Sequence, residues 1–204
     1  MKKLSAVSLL LAVVFAFAAF VNAGSAPATN PDIPAPPAIG ATIADFTLPD
    51  ANGTSHSLAS LAGKNGTVLI FIATQCPVSN AYNDRMEKLA QEYKARGINV
   101  VGINANSTES IADVKAHAAE KHLSFTILKD DGNKVADVLG ATRTPEAYFL
   151  DARNKLVYHG RIDNSRDETQ VVSSELRESM DETLAGKPVA KSTANAFGCS
   201  IKRG

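Results

Sequence analysis

Along positions 41–204, apolar and polar residues alternate with two periods, one typical of strands and one typical of helices. Residues 67–72 and 98–103 are short runs dominated by β-branched side chains, which is typical of strands buried on both faces of a sheet. Between them, apolar residues from 77 to 96 recur at the spacing of one helix face. The pattern therefore predicts a strand-helix-strand crossover at the centre of the domain.

Shorter elements flank this crossover. Strands at 45–48 and 55–58 are expected to form a hairpin, because Asn52-Gly53 between them supplies the positive φ of a tight turn. In chain order, the remaining predicted elements are a helix at 110–121, a strand at 125–129, a helix at 134–139, strands at 146–151 and 155–160, and a helix at 174–184. The alternation of strands and helices favours an α/β sheet covered on both faces.

The first 40 residues have a different composition. Residues 1–23 combine two lysines near the start, an apolar run at 9–20 and a small-x-small site ending at Ala23, which predicts a cleaved signal peptide. An uncleaved N-terminal membrane anchor is the alternative. Residues 24–40 hold five of the nine prolines and are expected to form an extended linker. The domain is therefore expected at 41–204, in an exported protein that is periplasmic or secreted.

Charge and composition exclude several classes of function. The 21 Lys and Arg are balanced by 21 Asp and Glu, so there is no excess of positive charge to bind a phosphate backbone, and nucleic-acid binding is not expected. Two cysteines are too few for a disulfide scaffold or a four-cysteine zinc site but are enough for a redox pair. The four histidines have no ligand spacing with either cysteine, so no metal and no cofactor are predicted.

Cys76 is the strongest candidate for chemistry. It follows the predicted strand at 67–72 and precedes a predicted helix whose first residue is Pro77. At this position the unsatisfied N–H groups and the positive end of the helix dipole stabilise a thiolate, which is the nucleophilic form of cysteine. A buried structural thiol is the alternative.

Several segments resemble known redox proteins. Residues 71–79 (FIATQCPVS) resemble the Phe-x-Ala-Thr-x-Cys-Pro-x-Cys turn of periplasmic thioredoxin-like proteins, and residues 143–145 (RTP) resemble the segment that carries the cis-proline of the thioredoxin fold. The turn at 76–79, the stretch at 160–163 (GRID) and the ending at 198–202 (GCSIK) resemble the peroxiredoxin-like branch of the alkyl hydroperoxide reductase/thiol-specific antioxidant (redoxin) family, in the thioredoxin superfamily.

This resemblance implies a thioredoxin-like fold, with a central mixed β-sheet, helices on both faces and an N-terminal β-hairpin. It also implies a thiol-dependent oxidoreductase, which the predicted signal peptide makes an exported one. Its substrate is expected to be a small peroxide or a protein disulfide or thiol, and an external thiol reductant is expected to regenerate it. A non-catalytic thioredoxin-fold binding module for a protein partner or a metal is the alternative. The resemblance makes no prediction of the oligomeric state.

The chain departs from both motifs. Ser79 stands where the thioredoxin motif has its second cysteine, so the local dithiol is missing. Leu69 and Ala73 stand where peroxiredoxins have the proline and threonine of Pro-x-x-x-Thr-x-x-Cys, and Thr74 is one residue out of register. Gln75 stands where thioredoxins have tryptophan. A local CxxC cycle is therefore excluded, and the peroxide-binding hydrogen bonds are not those of a standard peroxiredoxin.

Cys199 is the second thiol of the predicted site. It lies about 15 residues beyond the last predicted helix, and an extended chain of that length spans on the order of 45 Å, which exceeds the diameter of the domain. Three roles stay open: Cys199 resolves an oxidised Cys76 by forming a disulfide, it forms a permanent structural disulfide with Cys76, or it remains unpaired.

The remaining site residues flank these two thiols. Arg143 is expected to lower the pKa of Cys76 or to hold an anionic intermediate, with a solvated arginine as the alternative. Pro145, if cis, is expected to leave backbone groups of its loop free to pair with an extended substrate. Tyr82 is expected in the core and Arg85 at the surface. The predicted catalytic residues are Cys76, Cys199 and Arg143, and the predicted substrate-binding residues are Thr74, Gln75, Pro77, Ser79, Thr144 and Pro145.

Overall fold

The part of the chain that is described, residues 33–204 of a computed structural model, is arranged around a mixed β-sheet. The strands are β1 (Thr47–Pro49), β2 (Ser55–Ser57), β3 (Gly66–Ile72), β4 (Ile98–Asn104), β5 (Thr126–Lys129), β6 (Arg143–Thr144), β7 (Glu146–Asp151), β8 (Leu156–Gly160) and β9 (Cys199–Ser200). The helices are α1 (Pro77–Asn80), α2 (Asn83–Lys94), α3 (Ile111–Glu120), α4 (Lys134–Leu139) and α5 (Glu175–Leu184). The predicted signal peptide at 1–23 lies outside the described residues.

Strand β3 occupies the centre of a five-stranded sheet with the order β5-β4-β3-β7-β8. It runs parallel to β4 and antiparallel to β7, so the sheet is mixed. All seven residues of β3 are buried, as its continuous run of apolar residues predicts. The predicted α/β fold with a central mixed sheet is therefore confirmed.

The side chains of β3 point alternately into two hydrophobic clusters, one on each face of the sheet. Val68, Ile70 and Ile72 pack with buried residues of α2, α3 and α5. Leu69 and Phe71 pack with buried residues of α4 on the other face. Because β3 is packed on both faces, the position of its carboxyl end is fixed, and so is the point from which the following residues start.

The helix predicted at 77–96 is wrong in one respect, because it is divided into α1 and α2 at Ala81-Tyr82. The Tyr82 N–H donates to the Ser79 carbonyl, an i→i−3 bond that tightens the chain at this point. The Tyr82 ring is buried, as predicted, and its hydroxyl donates to Asp163 Oδ1 at 2.7 Å and to the Ser165 carbonyl at 2.9 Å. These partners lie more than 80 residues away, so the local pattern cannot reveal the break.

The prediction that Arg85 lies at the surface is also wrong. Its side chain is only 10% exposed, and Nη1 lies 2.7 Å from Asp163 Oδ2. The guanidinium also stacks on the Tyr82 ring, 3.7 Å from the ring centroid. A charge buried to this extent requires a paired partner, and Asp163 supplies it from the loop after β8.

The C-terminal tail returns across the domain after α5. Its residues 192–194 lie beside β8, where the His159 N–H donates to the Ser192 carbonyl and the Ala194 N–H donates to the His159 carbonyl. The tail then forms β9, which pairs antiparallel with β6 so that Cys199 lies opposite Thr144. Gly198 is needed at this crossing, because a Cβ there would lie 2.1 Å from the Thr144 carbonyl oxygen.

The smaller predicted elements are present as well. β1 and β2 form the antiparallel hairpin, and α3 begins with a capping box between Ser110 and Asp113. In the second part of the predicted linker, Pro34 passes so close to Gly140 that a Cβ there would lie 2.6 Å from the Pro34 carbonyl oxygen. Within residues 33–204, no helix has both the length and the apolar character needed to cross a membrane.

Candidate active site

Cys76 lies where the chain passes from β3 into α1. Its side chain caps α1, because the Ser79 N–H donates to Cys76 Sγ at 3.3 Å. Cys76 is 3% exposed, and its protonated thiol donates to the Thr144 carbonyl at 3.4 Å. Because α1 has only four residues, this single amide hydrogen bond, and not the dipole of a long helix, is the local feature that favours the thiolate.

The tail places Cys199 beside Cys76. Burial raises the pKa of Cys76, but the Cys199 thiol, the Ser79 amide and the Thr144 hydroxyl together outweigh burial and lower that pKa below its ordinary value. The neighbouring Cys76 and burial both raise the pKa of Cys199. Cys76 therefore ionises first, and Cys199 remains a protonated thiol beside it.

The peptide bond between Thr144 and Pro145 is cis, as the resemblance implies. Thr144 is buried, and its carbonyl oxygen lies 3.4 Å from Cys76 Sγ. The Thr144 hydroxyl contributes to lowering the pKa of Cys76, yet among residues 33–204 it has no partner in normal hydrogen-bond geometry. A buried hydroxyl without a partner next to a thiolate is a group able to donate to a bound oxygen atom.

The backbone groups of the cis-proline loop are paired with the tail. The prediction that they are free to pair with an extended substrate is therefore wrong. Thr144 pairs with Cys199 in the β6–β9 ladder, and the Ile201 N–H donates to the Thr142 carbonyl at 3.0 Å. The tail therefore takes the backbone edge that an extended substrate was expected to use. The sequence does not show this pairing because its partners are more than 50 residues apart.

Glu109 fixes the residues that precede Cys76. Its carboxylate is 3% exposed and accepts the Thr74 N–H at 2.8 Å and the Gln75 N–H at 3.1 Å. The side-chain amides of Asn104 and Asn106 donate to the same carboxylate at 2.5 Å and 3.1 Å. Four donors around one buried carboxylate hold the turn in place without using the Thr74 or Gln75 side chains.

The sequence does not single out Glu109. An acidic residue just before a helix is common, and its two backbone partners lie 34 and 35 residues earlier in the chain. The only signal available is the polar pair Asn104 and Asn106 at the end of a buried strand, since buried amides require partners.

The comparison with protein families agrees with this geometry. The model described as "AhpC/TSA family" matches residues 39–159, which is more than half of the chain. The chain belongs to the AhpC/TSA family. The predicted family and the thioredoxin-like fold are thus confirmed.

Relatives of this AhpC/TSA family member are thiol-dependent oxidoreductases. It is 34% identical over 170 residues to the chloroplastic peroxiredoxin Q of Sedum lineare, covering 76% of this chain and 88% of that one. It is also 34% identical over 118 residues to the thiol-disulfide oxidoreductase ResA of Halalkalibacterium halodurans, covering 58% and 65% of the two chains. A crystal structure of a hypothetical protein from Sinorhizobium meliloti 1021 is 32% identical, with a TM-score of 0.76, and the match covers 82% of this chain and 95% of the other.

Arg143 lies beside the site of this AhpC/TSA family member, but its hydrogen bonds are to the tail. The guanidinium is exposed, and Nη1 lies 3.4 Å from the Gly198 carbonyl oxygen and 3.3 Å from Ser200 Oγ. The Cys76 hydrogen bonds described above come from other residues. An action of Arg143 on Cys76 therefore stays a prediction, whereas its contact with the tail is observed.

Glu146 supports the cis-proline loop from behind and was not anticipated. Its Oε2 accepts the N–H groups of Thr142 and Arg143, each at 2.8 Å. Its Oε1 accepts from the Tyr148 hydroxyl at 3.1 Å and lies 2.7 Å from His159 Nε2. Burial raises the pKa of Glu146, but these donors outweigh burial and lower it, so the loop rests on a carboxylate that stays ionised.

The remaining predicted residues are also in the turn. Gln75 and Pro77 have exposed side chains on either side of Cys76, and Ser79 is buried beneath it, where its hydroxyl accepts the Ala73 N–H at 3.2 Å. Across residues 33–204, no group of three or more His, Cys, Asp and Glu side chains is arranged to hold a metal ion.

Proposed function

We propose that this AhpC/TSA family member reduces hydroperoxides with Cys76 as the nucleophile and Cys199 as the resolving thiol. The observation that carries the proposal is the strand pairing that places Cys199 opposite Thr144, whose carbonyl accepts the Cys76 thiol at 3.4 Å. In this arrangement the pKa of Cys76 is lowered and the pKa of Cys199 is raised. Two titratable groups whose environments separate their acidities take different roles in a reaction. Here the thiolate attacks first, and the protonated thiol acts second.

The reaction has three balanced steps. The Cys76 thiolate attacks one peroxide oxygen, the O–O bond breaks, the alkoxide leaves as an alcohol after taking a proton, and Cys76 becomes a sulfenic acid. The Cys199 sulfur then attacks the sulfenic sulfur, which forms the Cys76–Cys199 disulfide and releases water. An external dithiol finally reduces this disulfide and is itself oxidised to a disulfide.

Peroxide is favoured over a protein disulfide as the oxidant for two reasons. The site lacks the second cysteine of a local dithiol, because Ser79 stands there, and the resolving thiol comes from the tail. The match to peroxiredoxin Q also extends over more of this chain than the match to the thiol-disulfide oxidoreductase ResA. Both features point to an oxidant that leaves a sulfenic acid on Cys76.

Thr144 is the residue that we assign to binding the peroxide. The position three residues before Cys76 is Ala73, so the threonine of the peroxiredoxin motif is missing. Thr144 brings a buried hydroxyl to Cys76 from the cis-proline loop instead. Gln75 and Pro77, exposed on either side, are assigned to the entrance of the site, with Thr74 and Pro145 holding its walls.

The reaction is proposed to take place outside the cytosol. Two points support this: residues 1–23 have the composition of a signal peptide, and the disulfide of a two-cysteine cycle persists in an oxidising compartment. Mass spectrometry of the protein recovered from the cell envelope or medium is expected to show an N-terminus at Gly24. A protein that retains residues 1–23 contradicts cleavage and supports the membrane-anchor alternative.

The function is tested with one equivalent of hydrogen peroxide on the reduced protein, followed by alkylation, intact mass and peptide mapping. The expected product is the Cys76–Cys199 disulfide. In Cys199→Ser the expected product is a sulfenic acid at Cys76, trapped with dimedone, and in Cys76→Ser peroxide consumption is expected to fall to the uncatalysed background. If both thiols remain alkylatable after peroxide treatment, the proposal is wrong and the binding-module alternative is supported.

A further inference from the structure

The backbone edge next to Cys76 is occupied by the protein's own tail. Residues 142–144 include the short strand β6, whose backbone groups are of the kind on which an extended polypeptide adds as a strand. In this protein, residues 199–201 hold that edge in antiparallel register, with Cys199 opposite Thr144 and Ser200 opposite Arg143. The tail thus presents its cysteine to Cys76 as a bound polypeptide substrate would present a cysteine.

The tail is fastened on both sides of Cys199. Before it, the Phe197 ring packs edge-on against Tyr82, with ring centroids 6.3 Å apart. After it, Ile201 is buried in the hydrophobic cluster on the α4 face, and the Lys202 N–H donates to Asn106 Oδ1 at 2.7 Å. Arg203 closes the segment, because its guanidinium donates to Asp137 Oδ1 at 3.0 Å and to the Ala141 carbonyl at 2.7 Å.

This fastening leaves Cys76 almost wholly covered. Cys76 is 3% exposed, and a small molecule needs access to its sulfur alone, whereas an extended polypeptide also needs the backbone edge that β9 fills. The site therefore combines a reactive thiolate with an internal strand that competes against polypeptide ligands.

We propose that the tail segment 197–203 determines substrate specificity, by admitting small oxidants to Cys76 and excluding cysteines carried on extended polypeptides. The proposal rests on the proposed function, since it concerns the oxidants of the same thiol. Gly198 and Arg203 are the residues that set this specificity: Gly198 allows the tail to cross the Thr144 carbonyl, and Arg203 fastens its end.

The test compares two mixed disulfides that carry the same chromogenic leaving group, 5-thio-2-nitrobenzoate. One contains N-acetylcysteine, and the other contains an eight-residue extended peptide with a central cysteine. The Cys199→Ser protein serves as the common background, so that only Cys76 reacts. Its thiolate attacks the cysteine sulfur of the probe, a new disulfide forms, and the coloured thiolate is released and measured.

Gly198→Ala is the variant that displaces the tail, because its Cβ would lie 2.1 Å from the Thr144 carbonyl oxygen. Gly186→Ala is the matched control, since Gly186 also has a positive φ, in the same tail, but no atom lies within 4 Å of the Cβ position. Arg203→Ala is a second displacing variant that leaves the backbone conformation alone. Hydrogen exchange at the Ile201 amide reports how far each variant frees the tail.

In the background protein and in Gly186→Ala, the peptide probe is expected to react at least tenfold more slowly than the N-acetylcysteine probe. In Gly198→Ala and Arg203→Ala the peptide rate is expected to rise with exchange at Ile201, by tenfold or more in Gly198→Ala, while the small-probe rate changes less than threefold. Equal rates for the two probes in the background protein overturn the proposal. The proposal is also overturned if exchange at the Ile201 amide rises while the reaction rate of the peptide probe stays the same. It is overturned as well if neither Gly198→Ala nor Arg203→Ala raises exchange at that amide.

The outcome is separable from that of the proposed function. Oxidation of the two-thiol protein by hydrogen peroxide is measured without either mixed disulfide. If the protein discriminates between the probes but does not react with peroxide, the proposed peroxidase function is wrong and the specificity role of the tail stands. If it forms the Cys76–Cys199 disulfide but reacts equally with both probes, only the specificity role is wrong.

Discussion

The two thiols of the site are held in opposite ways. Cys76 belongs to a continuous stretch of the chain, a buried strand followed by a short helix, and its capping bond comes from an amide three residues later. Cys199 belongs to a tail whose contacts reach residues 55 to 96 positions away, at Arg143, Asp137 and Asn106. The comparison teaches that the position of Cys76 at the strand-to-helix turn is built locally, whereas the lowering of its pKa, its resolution and its specificity depend on how the whole chain folds back.

The largest expected effect comes from moving the second thiol from the tail to the turn. Cys199→Ser is expected to lower steady-state peroxide turnover at least 100-fold, because the sulfenic acid has no neighbouring thiol to resolve it. Adding Ser79→Cys to that variant places a thiol within the turn, as in a CxxC motif, and is expected to restore disulfide formation. Coupled peroxide consumption and peptide mapping measure both. Failure of Ser79→Cys to restore a disulfide, in a protein that still forms the sulfenic acid, contradicts the idea that proximity of the second thiol suffices.

In the turn that carries Cys76, the largest loss of stability is expected from substitution of Glu109. Glu109→Gln replaces two acceptor oxygens with one and points an amide donor at existing donors, so the unfolding free energy is expected to fall by about 3 to 4 kcal/mol. Urea denaturation measures this. Glu120→Gln, on the exposed face of α3, is the control and is expected to change stability by less than about 0.5 kcal/mol. Equal losses in the two variants contradict the role assigned to Glu109.

Near the tail, a loss of stability is expected from substitution of Glu175. Its buried carboxylate binds Lys191 near the start of the tail. Burial raises the pKa of Glu175, but hydrogen bonds from Arg161 and Lys191 outweigh burial and lower the pKa to about 2. Because the folded pKa lies below the unfolded value, the stabilisation is complete above about pH 5 and is lost as the pH falls towards 2. Glu175→Gln is expected to cost on the order of 2 to 3 kcal/mol at pH 7.

The check on Glu175 is urea denaturation of both proteins at pH 7 and at pH 2.5. The difference between wild type and Glu175→Gln is expected to shrink at the lower pH, since the wild-type carboxylate is then partly protonated. A difference that is the same at both pH values contradicts a role for the ionised form.

The contact between the two thiols is expected to appear in the pH dependence of Cys76. The Cys199 thiol lowers the pKa of Cys76, so Cys199→Ala is expected to move the alkylation profile of Cys76 to higher pH. Cys199→Ser keeps a donor at that position and is expected to move the profile less. Alkylation rates with iodoacetamide between pH 5 and 10 measure the shift. Identical profiles in all three proteins contradict the thiol contact.

The smallest effect is expected at Arg143, and it distinguishes its two roles. If Arg143 only fastens the tail, Arg143→Ala slows disulfide formation a few-fold and leaves the first oxidation of Cys76 unchanged, because exposed contacts of this kind contribute about 1 kcal/mol or less. If it acts on the thiolate, the first oxidation slows. Rapid mixing with peroxide in the Cys199→Ser background isolates the first step.

Several features of the fold could be predicted because they depend on short-range pattern. The burial of β3 follows from an unbroken apolar run, and the capping position of Cys76 follows from a strand end next to Pro77. The capping box of α3 likewise follows from a spacing of three residues between Ser110 and Asp113. In each case the interacting groups lie within one turn or one strand, so the chain path hardly matters.

Other features were not accessible in this way. Arg85 is paired with Asp163, which lies 78 residues away, and Asp163 also accepts the hydroxyl of Tyr82, the residue at which α1 and α2 are divided. Glu109 and Glu146 look like ordinary acidic residues until their backbone partners are placed around them.

The sequence by itself determined the α/β domain, its central strand, the position of Cys76 at a strand-to-helix turn, and the resemblance that led to the AhpC/TSA family. The tertiary structure alone decided that Cys199 lies beside Cys76, that the tail fills the backbone edge of the cis-proline loop, and that two buried carboxylates support the site. The physical reason is that side-chain period and capping act over a few residues, whereas strand pairing and charge burial join groups whose separation along the chain carries no information about their separation in space.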